Sequence, residues 1–589
     1  MQEWIERRPL LWLSLFAFVV GSITGLGAVL FRMLVAIAHN LFFNGTLSFF
    51  YDANVFGPPS MFGPFVILAP VLGGLVVVWI VETFAPEARG HGVPEVMYAI
   101  FYREGLIRPI VAAAKTLASA ISIGSGASVG REGPIIQIGS AFGSTFGQWL
   151  RLEPWQRITM VAAGAGAGVA ATFNTPMGGV LFAIELLMPE ISTRTFLPVV
   201  VATGTATFIG RIFFGAQPAF FLDRVGVTPM EDISLETLLL IALLGLASGL
   251  AAWAFVRTLT LLELRFESWK ANPYLKNIAG MFVIGLVMYG LFLYDGRYHT
   301  AGVGYATIQA VLNHEITLWW FLLLLFLLKL FATSLSLAAG ASGGVFAPSI
   351  FMGTMLGGAF GSIVIPVFGV QDFTLSEFAI VGMASVVAGG TGAAMMAIVM
   401  IFEMTRDFHI LFPTIIAAAL AIGTRRLLSD ENIYTVKLAW RGVRIPKERH
   451  SNMFLVRHAA EVMSRDCFVM DAGTTVQEAL ERLPEKSDSE YIVVADRGHV
   501  VGVILIPPSL HSLRHAGGRV TLRQIADRRW IVGMPDQSMF EIFRRMARRD
   551  ALYVLVMGSR SHVPHAGDVL GVIARAQITA AVIENFGKA

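Results

Sequence analysis

The chain has 589 residues, of which 55% are hydrophobic and only 14% are charged. Soluble domains carry about a quarter charged residues, so the composition excludes an ordinary soluble protein. The net charge of +3 is too small to predict binding to nucleic acid, and the single cysteine, Cys467, excludes an internal disulfide. The sequence therefore predicts an integral membrane protein that is surrounded by lipid.

Several apolar segments are long enough to cross a bilayer or most of one, which takes about 20 residues; they are 10–31, 64–81, 237–255 and 317–335. The first segment is too long for a cleavable signal peptide, and no small-residue cleavage site follows it. Basic residues precede the first span at Arg7 and Arg8 and cluster around the end of the last span. By the positive-inside rule, both termini are expected in the cytoplasm. The expected location is a bacterial inner (plasma) membrane.

The membrane part contains an internal repeat. Residues 115–139, KTLASAISIGSGASVGREGPIIQIG, align without a gap to residues 329–353, KLFATSLSLAAGASGGVFAPSIFMG. Further pairs at similar offsets are 90–94 with 302–306, Gly21 and Gly25 with Gly245 and Gly249, and Glu185 with Glu403. The sequence predicts two related halves, at about 10–222 and 233–436, which is typical of transporters that bind their substrate near the midplane.

Three stretches in these halves have the form Gly-x-x-x-Pro: 90-GHGVP-94, 130-GREGP-134 and 344-GVFAP-348. Glycine lets the backbone turn and leaves its amides uncovered, and proline suits the first turn of a helix. A helix N-terminus attracts anions, because it presents unpaired N–H groups and the positive end of the helix dipole. Three converging helix starts predict an anion site that needs no buried lysine. For 164-GAGAGVAA-171 we prefer the alternative role of tight helix packing.

With these motifs the sequence resembles the CLC family of chloride channels and chloride/proton exchangers. The family motifs usually read GSGIP, GK/REGP and GxFxP, and 173-FNTPMGGVLFAIE-185 and 432-NIYTVKL-438 are also similar to the family. The resemblance implies an all-α polytopic membrane domain over 1–436, built as an inverted repeat of broken helices. It also implies a homodimer with one anion pathway per subunit, and no enzymatic activity.

The resemblance implies that Glu132 is the gating glutamate. A carboxylate at a helix start uses the same amides that would hold a chloride, so the two compete for one place. Phe346 and Ala347 would give backbone amides to the central anion, and Tyr434 would give its hydroxyl from the cytoplasmic side. The implied chloride-binding positions are His91, Gly92, Arg131, Gly133, Val345, Phe346, Ala347 and Tyr434. We expect Arg131 to act through its charge or its packing rather than as a direct ligand.

Two departures from the family pattern bear on function. His91 replaces the usual serine, so an imidazole N–H can bind the anion and make the site sensitive to pH; alternatively the ring turns aside and a backbone N–H binds. Leu186 stands where exchangers commonly carry an inner, proton-passing glutamate. Passive, channel-like chloride conduction is therefore the favoured function, and chloride/proton antiport is the alternative.

Other functions are more distant. Fluoride exporters of the family usually depart at the motif proline, whereas Pro134 is retained. A CBS-bearing sensor or cation transporter is disfavoured because helix N-termini select anions. The intramembrane acids Glu185 and Glu403 are expected to share a structural role at helix ends rather than to carry ions.

After a linker at 437–452, residues 453–589 resemble a tandem pair of CBS domains, a small α/β cytoplasmic unit. The predicted elements are strands at 468–470, 491–495, 500–506, 552–557 and 569–574, with helices at 476–483 and 538–547. Such tails can bind adenine nucleotides. Here 502–510 and 571–578 lack the ribose-binding Asp, so a tail that supports the dimer or gating without a ligand is favoured. No metal or required cofactor is expected.

Overall fold

The computed structural model describes residues 9–189, 191–222, 233–443, 445, 457–482, 491–506, 520–559, 564–575 and 578. The chain divides into two units, Met1–Ile445 and Pro446–Ala589. Arg7, Arg8 and half of the predicted linker, 444 and 446–452, lie outside the described residues.

The first unit is helical. Its helices are α1 (Pro9–Asn44), α2 (Ala69–Phe84), α3 (Val93–Tyr102), α4 (Ile110–Gly124), α5 (Glu132–Trp149), α6 (Pro154–Phe173), α7 (Pro176–Phe182), α8 (Thr193–Phe214), α9 (Leu235–Ser268), α10 (Pro273–Asp295), α11 (Tyr305–Leu312), α12 (Trp319–Ala338), α13 (Phe346–Phe368), α14 (Leu375–Thr391), α15 (Ala394–Thr405), α16 (Leu411–Leu428) and α17 (Thr435–Trp440). Within the described residues, 8 helices are long and apolar enough to cross a membrane. The spans predicted from sequence lie in α1, α2, α9 and α12.

Short helices and helix breaks lie between the long spans. α3, α5 and α13 begin at Val93, Glu132 and Phe346, inside the three predicted Gly-x-x-x-Pro motifs. The residue before α3 is Gly92, whose φ of +82° lies in the left-handed region that favours glycine. The sequence thus predicted correctly where these helices start.

The two halves make equivalent helix contacts. A Cβ atom at Gly21 of α1 would overlap the backbone of Ala202 in α8, and one at Gly245 of α9 would overlap the backbone of Ala417 in α16. In the same way α5 meets α6 where Gly139 faces Gly164. Small residues therefore let the backbones approach closely at matching places in both halves, as membrane helix packing requires.

Glu185 and Glu403 hold helix ends across the two halves. Glu185 Oε2 accepts a hydrogen bond from the Met396 amide of α15 at 2.7 Å, and Glu403 Oε2 accepts one from the Gly178 amide of α7 at 2.7 Å. Each acid lies in one half and caps a helix of the other half, as the two-fold relation between the halves requires. A carboxylate at a helix N-terminus pairs with otherwise unpaired N–H groups. The predicted structural role of the two acids is confirmed.

The membrane unit extends past residue 436, where the sequence placed its end. α17 runs through the start of the predicted linker, and two ion pairs attach it to the bundle. Lys437 pairs with Glu263 at 3.2 Å, and Arg441 pairs with Glu95 at 2.7 Å. The local rise in charge therefore begins inside the first unit and not at its end.

The second unit contains two three-stranded sheets, in the orders β1-β2-β3 and β4-β5-β6. The strands are β1 (Cys467–Asp471), β2 (Tyr491–Asp496), β3 (His499–Leu505), β4 (Trp530–Gly533), β5 (Tyr553–Met557) and β6 (Val569–Ala574), and the helices are α18 (Ala459–Val462), α19 (Val476–Arg482), α20 (Leu522–Ile525) and α21 (Met539–Arg549). In each sheet the first pair of strands is parallel and the second is antiparallel. β4 was not predicted, since it is only four residues long.

The contact between α5 and α6 yields a stability prediction. Gly164→Ala should lower the free energy of unfolding by about 1–3 kcal/mol, because its Cβ would overlap the Gly139 carbonyl. Gly204→Ala in α8 is the matched control: no atom lies within 4 Å of its Cβ position, and alanine favours a helix by up to about 1 kcal/mol. The thermal unfolding midpoint of the purified protein in detergent measures both. Equal midpoints for the two variants would contradict the packing described here.

Candidate anion site

The three helix breaks meet through backbone hydrogen bonds. The Gly130 amide donates to the Gly344 carbonyl at 2.7 Å, and the Gly344 amide donates to the Gly130 carbonyl at 2.6 Å. The Gly343 amide donates to the Gly90 carbonyl at 3.3 Å. Segments that lie far apart in the sequence therefore form one small bridged unit, from which α3, α5 and α13 start.

Glycine is required where these backbones touch. A Cβ at Gly133 would overlap the His91 carbonyl oxygen, and it would lie 3.0 Å from the Gly344 Cα. A Cβ at Gly130 would overlap the carboxylate of Glu132. The glycines thus keep side chains out of the contacts between the breaks and leave room for the carboxylate of Glu132.

The carboxylate of Glu132 occupies the space between the breaks. Its side chain is buried, with 1% exposed. Oε2 accepts a hydrogen bond from the Ala347 amide at 3.1 Å, and Oε1 accepts one from the Tyr305 hydroxyl at 2.8 Å. The carboxylate thus lies at the start of α13, where the sequence predicted that an anion would bind.

Tyr305 is a site residue that the sequence reasoning missed. It begins α11, follows Gly304 with its φ of +82°, and packs edge-on against Phe220 with ring centroids 5.4 Å apart. The available signal was the repeat, since 302-GVGYA-306 aligns with 90-GHGVP-94. α11 of the second half, the counterpart of α3, thus contacts Glu132 through Tyr305.

Arg131 lies beside the site, and its guanidinium contacts two aromatic rings and a backbone carbonyl. Its guanidinium lies over the rings of Phe173 at 5.5 Å and Tyr305 at 5.0 Å, and Nη2 donates to the Thr172 carbonyl at 3.4 Å. Arg131 and Arg32 line one cavity of about 50 Å³. This arrangement agrees with an electrostatic role for Arg131.

His91 and Tyr434 lie close together at the site. Both are buried, with 2% and 1% exposed, and their ring centroids are 6.1 Å apart. His91 Nδ1 has no hydrogen-bond partner among the residues that the structure describes. Tyr434 is held by its amide, which donates to Asn432 Oδ1 at 2.9 Å. A buried polar nitrogen without a protein partner marks a place for a ligand.

Two lysines are buried close to the breaks, although the sequence reasoning expected no buried lysine in the site. The Lys115 ammonium donates to the carbonyls of Ala88 at 2.9 Å and Gly90 at 2.6 Å. Lys329, its repeat counterpart, donates to the Gly302 carbonyl at 2.8 Å. Both lysines hold the chain before a short helix, and neither ammonium serves as the anion's direct ligand in this arrangement.

Leu186 lies in a wide helical turn, Ala183–Leu187, that continues α7. Its side chain is buried and follows Glu185, whose carboxylate caps α15. The carboxylate of Glu185 therefore binds a helix end, and the side chain of Leu186 has no group that can carry a proton.

The helical fold and the site of converging helix starts define a membrane protein that transports anions. A family model described as "Voltage gated chloride channel" matches residues 73–426, and a CBS domain model matches residues 459–506. The chain belongs to the CLC family and carries C-terminal CBS domains, and it is an integral membrane protein.

Relatives and solved structures agree with this assignment. The chain is 30% identical over 441 residues to the "H(+)/Cl(-) exchange transporter ClcA" of Salmonella paratyphi B and to that of Salmonella newport, covering 74% of this chain and 89% of each relative. A slow cyanobacterial Cl-/H+ antiporter is similar with a TM-score of 0.64 and 25% identity, over 73% of this chain and 97% of that one. A eukaryotic CLC transporter shares the fold, with a TM-score of 0.63 and 20% identity, over 96% and 98%.

The close approach at Gly133 yields a binding prediction. Gly133→Ala should weaken chloride binding at least about tenfold, because displacing binding groups by about 1 Å can cost up to about a hundredfold. Isothermal titration of chloride into the detergent-solubilised protein measures the affinity. Gly423→Ala in α16, where the Cβ position is open, serves as the control. Wild-type affinity in Gly133→Ala would show that the bridged breaks do not form the anion site.

Proposed function

We propose that this protein exchanges chloride for protons, through one pathway in each subunit of a homodimer. The proposed location is a bacterial inner membrane, with both termini in the cytoplasm. The observation that carries the proposal is the buried Glu132 carboxylate, which accepts hydrogen bonds from the Ala347 amide and the Tyr305 hydroxyl. These donors suit an anion, and the carboxylate is the anion that now uses them.

The coupling follows from competition for one place. An ionised Glu132 pairs strongly with N–H and O–H donors, whereas a protonated acid is a weaker acceptor and carries no charge. Chloride therefore enters the position most readily when Glu132 takes up a proton and leaves. Release of that proton on one side lets the carboxylate return and displaces chloride, so the two ions move in opposite directions.

Exchange is proposed in place of the passive conduction that the sequence alone favoured. The relatives that are 30% identical are named exchange transporters, which supports this choice. Leu186 remains the argument for a channel, because it cannot relay a proton. In the proposed exchanger, protons therefore reach Glu132 from the cytoplasmic side through water rather than through an acid at position 186.

Chloride itself is proposed to bind between the helix starts and the His91–Tyr434 pair. Phe346 and Ala347 supply amides at the start of α13, and the unpaired His91 Nδ1 supplies a donor from the other side. Arg131 adds positive charge near the entrance. Gly92, Gly133 and Val345 would contact chloride through their backbone atoms only.

Chloride is preferred to fluoride as the substrate because Pro134 keeps the chloride-type gating motif. The CBS unit is proposed to support the dimer or its gating without a bound adenine nucleotide. The positions where the ribose-binding Asp would stand, after β3 and β6, lie outside the described residues, so this part of the proposal rests on the sequence.

The exchange proposal predicts that a chloride gradient drives protons uphill in proteoliposomes, and that the reversal potential shifts with an opposing pH gradient. Glu132→Gln should retain chloride flux and abolish proton movement, because an amide does not ionise. Glu267→Gln, at the exposed end of α9, is the matched control and should behave as wild type. A wild-type reversal potential that follows chloride alone would identify a channel instead.

The His91 assignment predicts a loss of affinity. His91→Ala should weaken chloride binding about tenfold, since a net hydrogen bond is worth up to about 1.5 kcal/mol. His91→Ser, which restores a donor, should recover the affinity. Chloride titrations measure both variants. Unchanged affinity in His91→Ala would mean that the ring turns aside and a backbone N–H binds.

A further inference from the structure

A polar path leads away from the gating acid on the side opposite Tyr434. It starts at the Tyr305 hydroxyl, which donates to Glu132 Oε1 at 2.8 Å. Tyr305 lines a second cavity of about 50 Å³, and Thr307 lines the same cavity. Such a volume holds water where polar groups surround it. The gating acid is thus one hydroxyl away from a polar cavity near the C-terminal end of α1.

Three side chains continue the path from this cavity to the surface. His299 Nδ1 lies 3.1 Å from Thr307 Oγ1, and His299 Nε2 lies 2.6 Å from Asp295 Oδ2. The His299 side chain is 0% exposed, whereas that of Asp295 is 36% exposed. We name Asp295, His299 and Thr307 the His299 relay. It joins the solvent at one end to the cavity at the other.

Aromatic rings flank the relay, and the charge of Arg297 also acts on His299. The rings of Phe56 and Phe321 pack edge-on against His299 at 5.6 and 5.5 Å. Arg297 lies over Phe56 and pairs with Glu315 at 3.5 Å. Across the cavity, His39 is stacked between two aromatic rings. Asp295 is therefore the carboxylate that His299 contacts.

The protonation state of His299 follows from its burial. Burial lowers the pKa of His299 below its ordinary value, and the hydrogen bond that its ring donates to Asp295 opposes this only in part. Near pH 7 the ring is therefore neutral, with Nε2–H donating to Asp295 and Nδ1 accepting from Thr307. This is the tautomer that can receive a proton at Nδ1 and pass one on from Nε2.

We propose that Glu132 exchanges its proton with the outer solution through Tyr305, the cavity water and the His299 relay. The proposal rests on the proposed exchange function, and it gives the proton a route separate from the chloride path. Tyr305 contacts the reacting acid directly. Thr307, His299 and Asp295 pass the proton on without contacting that acid.

Every group on the route gains one proton and loses one. In the outward direction protonated Glu132 gives its proton to Tyr305 Oη, while the Tyr305 O–H gives its own to a cavity water. The water passes a proton to Thr307 Oγ1, and the Thr307 O–H passes one to His299 Nδ1. His299 Nε2–H then protonates Asp295, which releases the proton to the solution. The inward direction reverses these steps from the other tautomer of His299.

Proton flux driven by a chloride gradient tests the route in proteoliposomes. Tyr305→Phe and His299→Gln should each lower proton turnover by at least about tenfold, since a positioned proton-transfer group contributes about a hundredfold or more. Tyr298→Phe is the matched control: its hydroxyl lines the same cavity but accepts from the Ser60 amide at 3.3 Å and does not contact Glu132. Chloride titration of each variant checks that the anion site is folded.

A rescue experiment separates proton transfer from a structural role. His299→Ala is assayed with a series of added imidazoles that differ in pKa. The recovered proton turnover should follow the pKa of the imidazole, which a ring that merely fills space would not do. Wild-type proton turnover in both His299→Gln and Tyr305→Phe would overturn the whole route. Wild-type proton turnover in His299→Gln together with reduced turnover in Tyr305→Phe would overturn the His299 relay. If wild-type protein moves no protons uphill, the exchange function itself fails.

Discussion

The membrane unit depends on the close approach of two helix breaks. Gly130 and Gly344 exchange backbone hydrogen bonds at 2.7 and 2.6 Å, which leaves no room for side chains between them. Because of this approach, three helix starts point at one small volume, and their open amides create a positive potential without a fixed cation. The long spans around the breaks keep this bridged unit in place.

The buried charges of Lys115, Lys329, Glu185 and Glu403 differ from that of Glu132 in their partners. Lys115 and Lys329 are held by backbone carbonyls, and Glu185 and Glu403 are held by helix amides. Leaving a buried charge without partners would cost several kcal/mol, so these four groups stay where they are. The partners of Glu132 are donors that an anion can use equally well. The same helix-end chemistry thus caps a helix at two acids and, in the proposed function, forms the gate at Glu132.

Repetition explains why the site is asymmetric in function although the fold is symmetric. The first half contributes Glu132, and the second half contributes Phe346 at the matching position. Tyr305 likewise stands where the first half has Val93, and it turns a helix start into a hydrogen-bond donor for the gate. Duplication supplied two equal scaffolds, and single side chains then gave each half a different task.

The sequence by itself determined the membrane class, the two halves and the three helix starts. These features depend on composition and on local backbone preferences of Gly and Pro, which are written in the order of residues. It missed Tyr305, the partners of the buried lysines, strand β4 and the extension of the membrane unit to α17. Only the tertiary structure decided these points, because they depend on which distant side chains and carbonyls come within hydrogen-bonding distance after the helices pack.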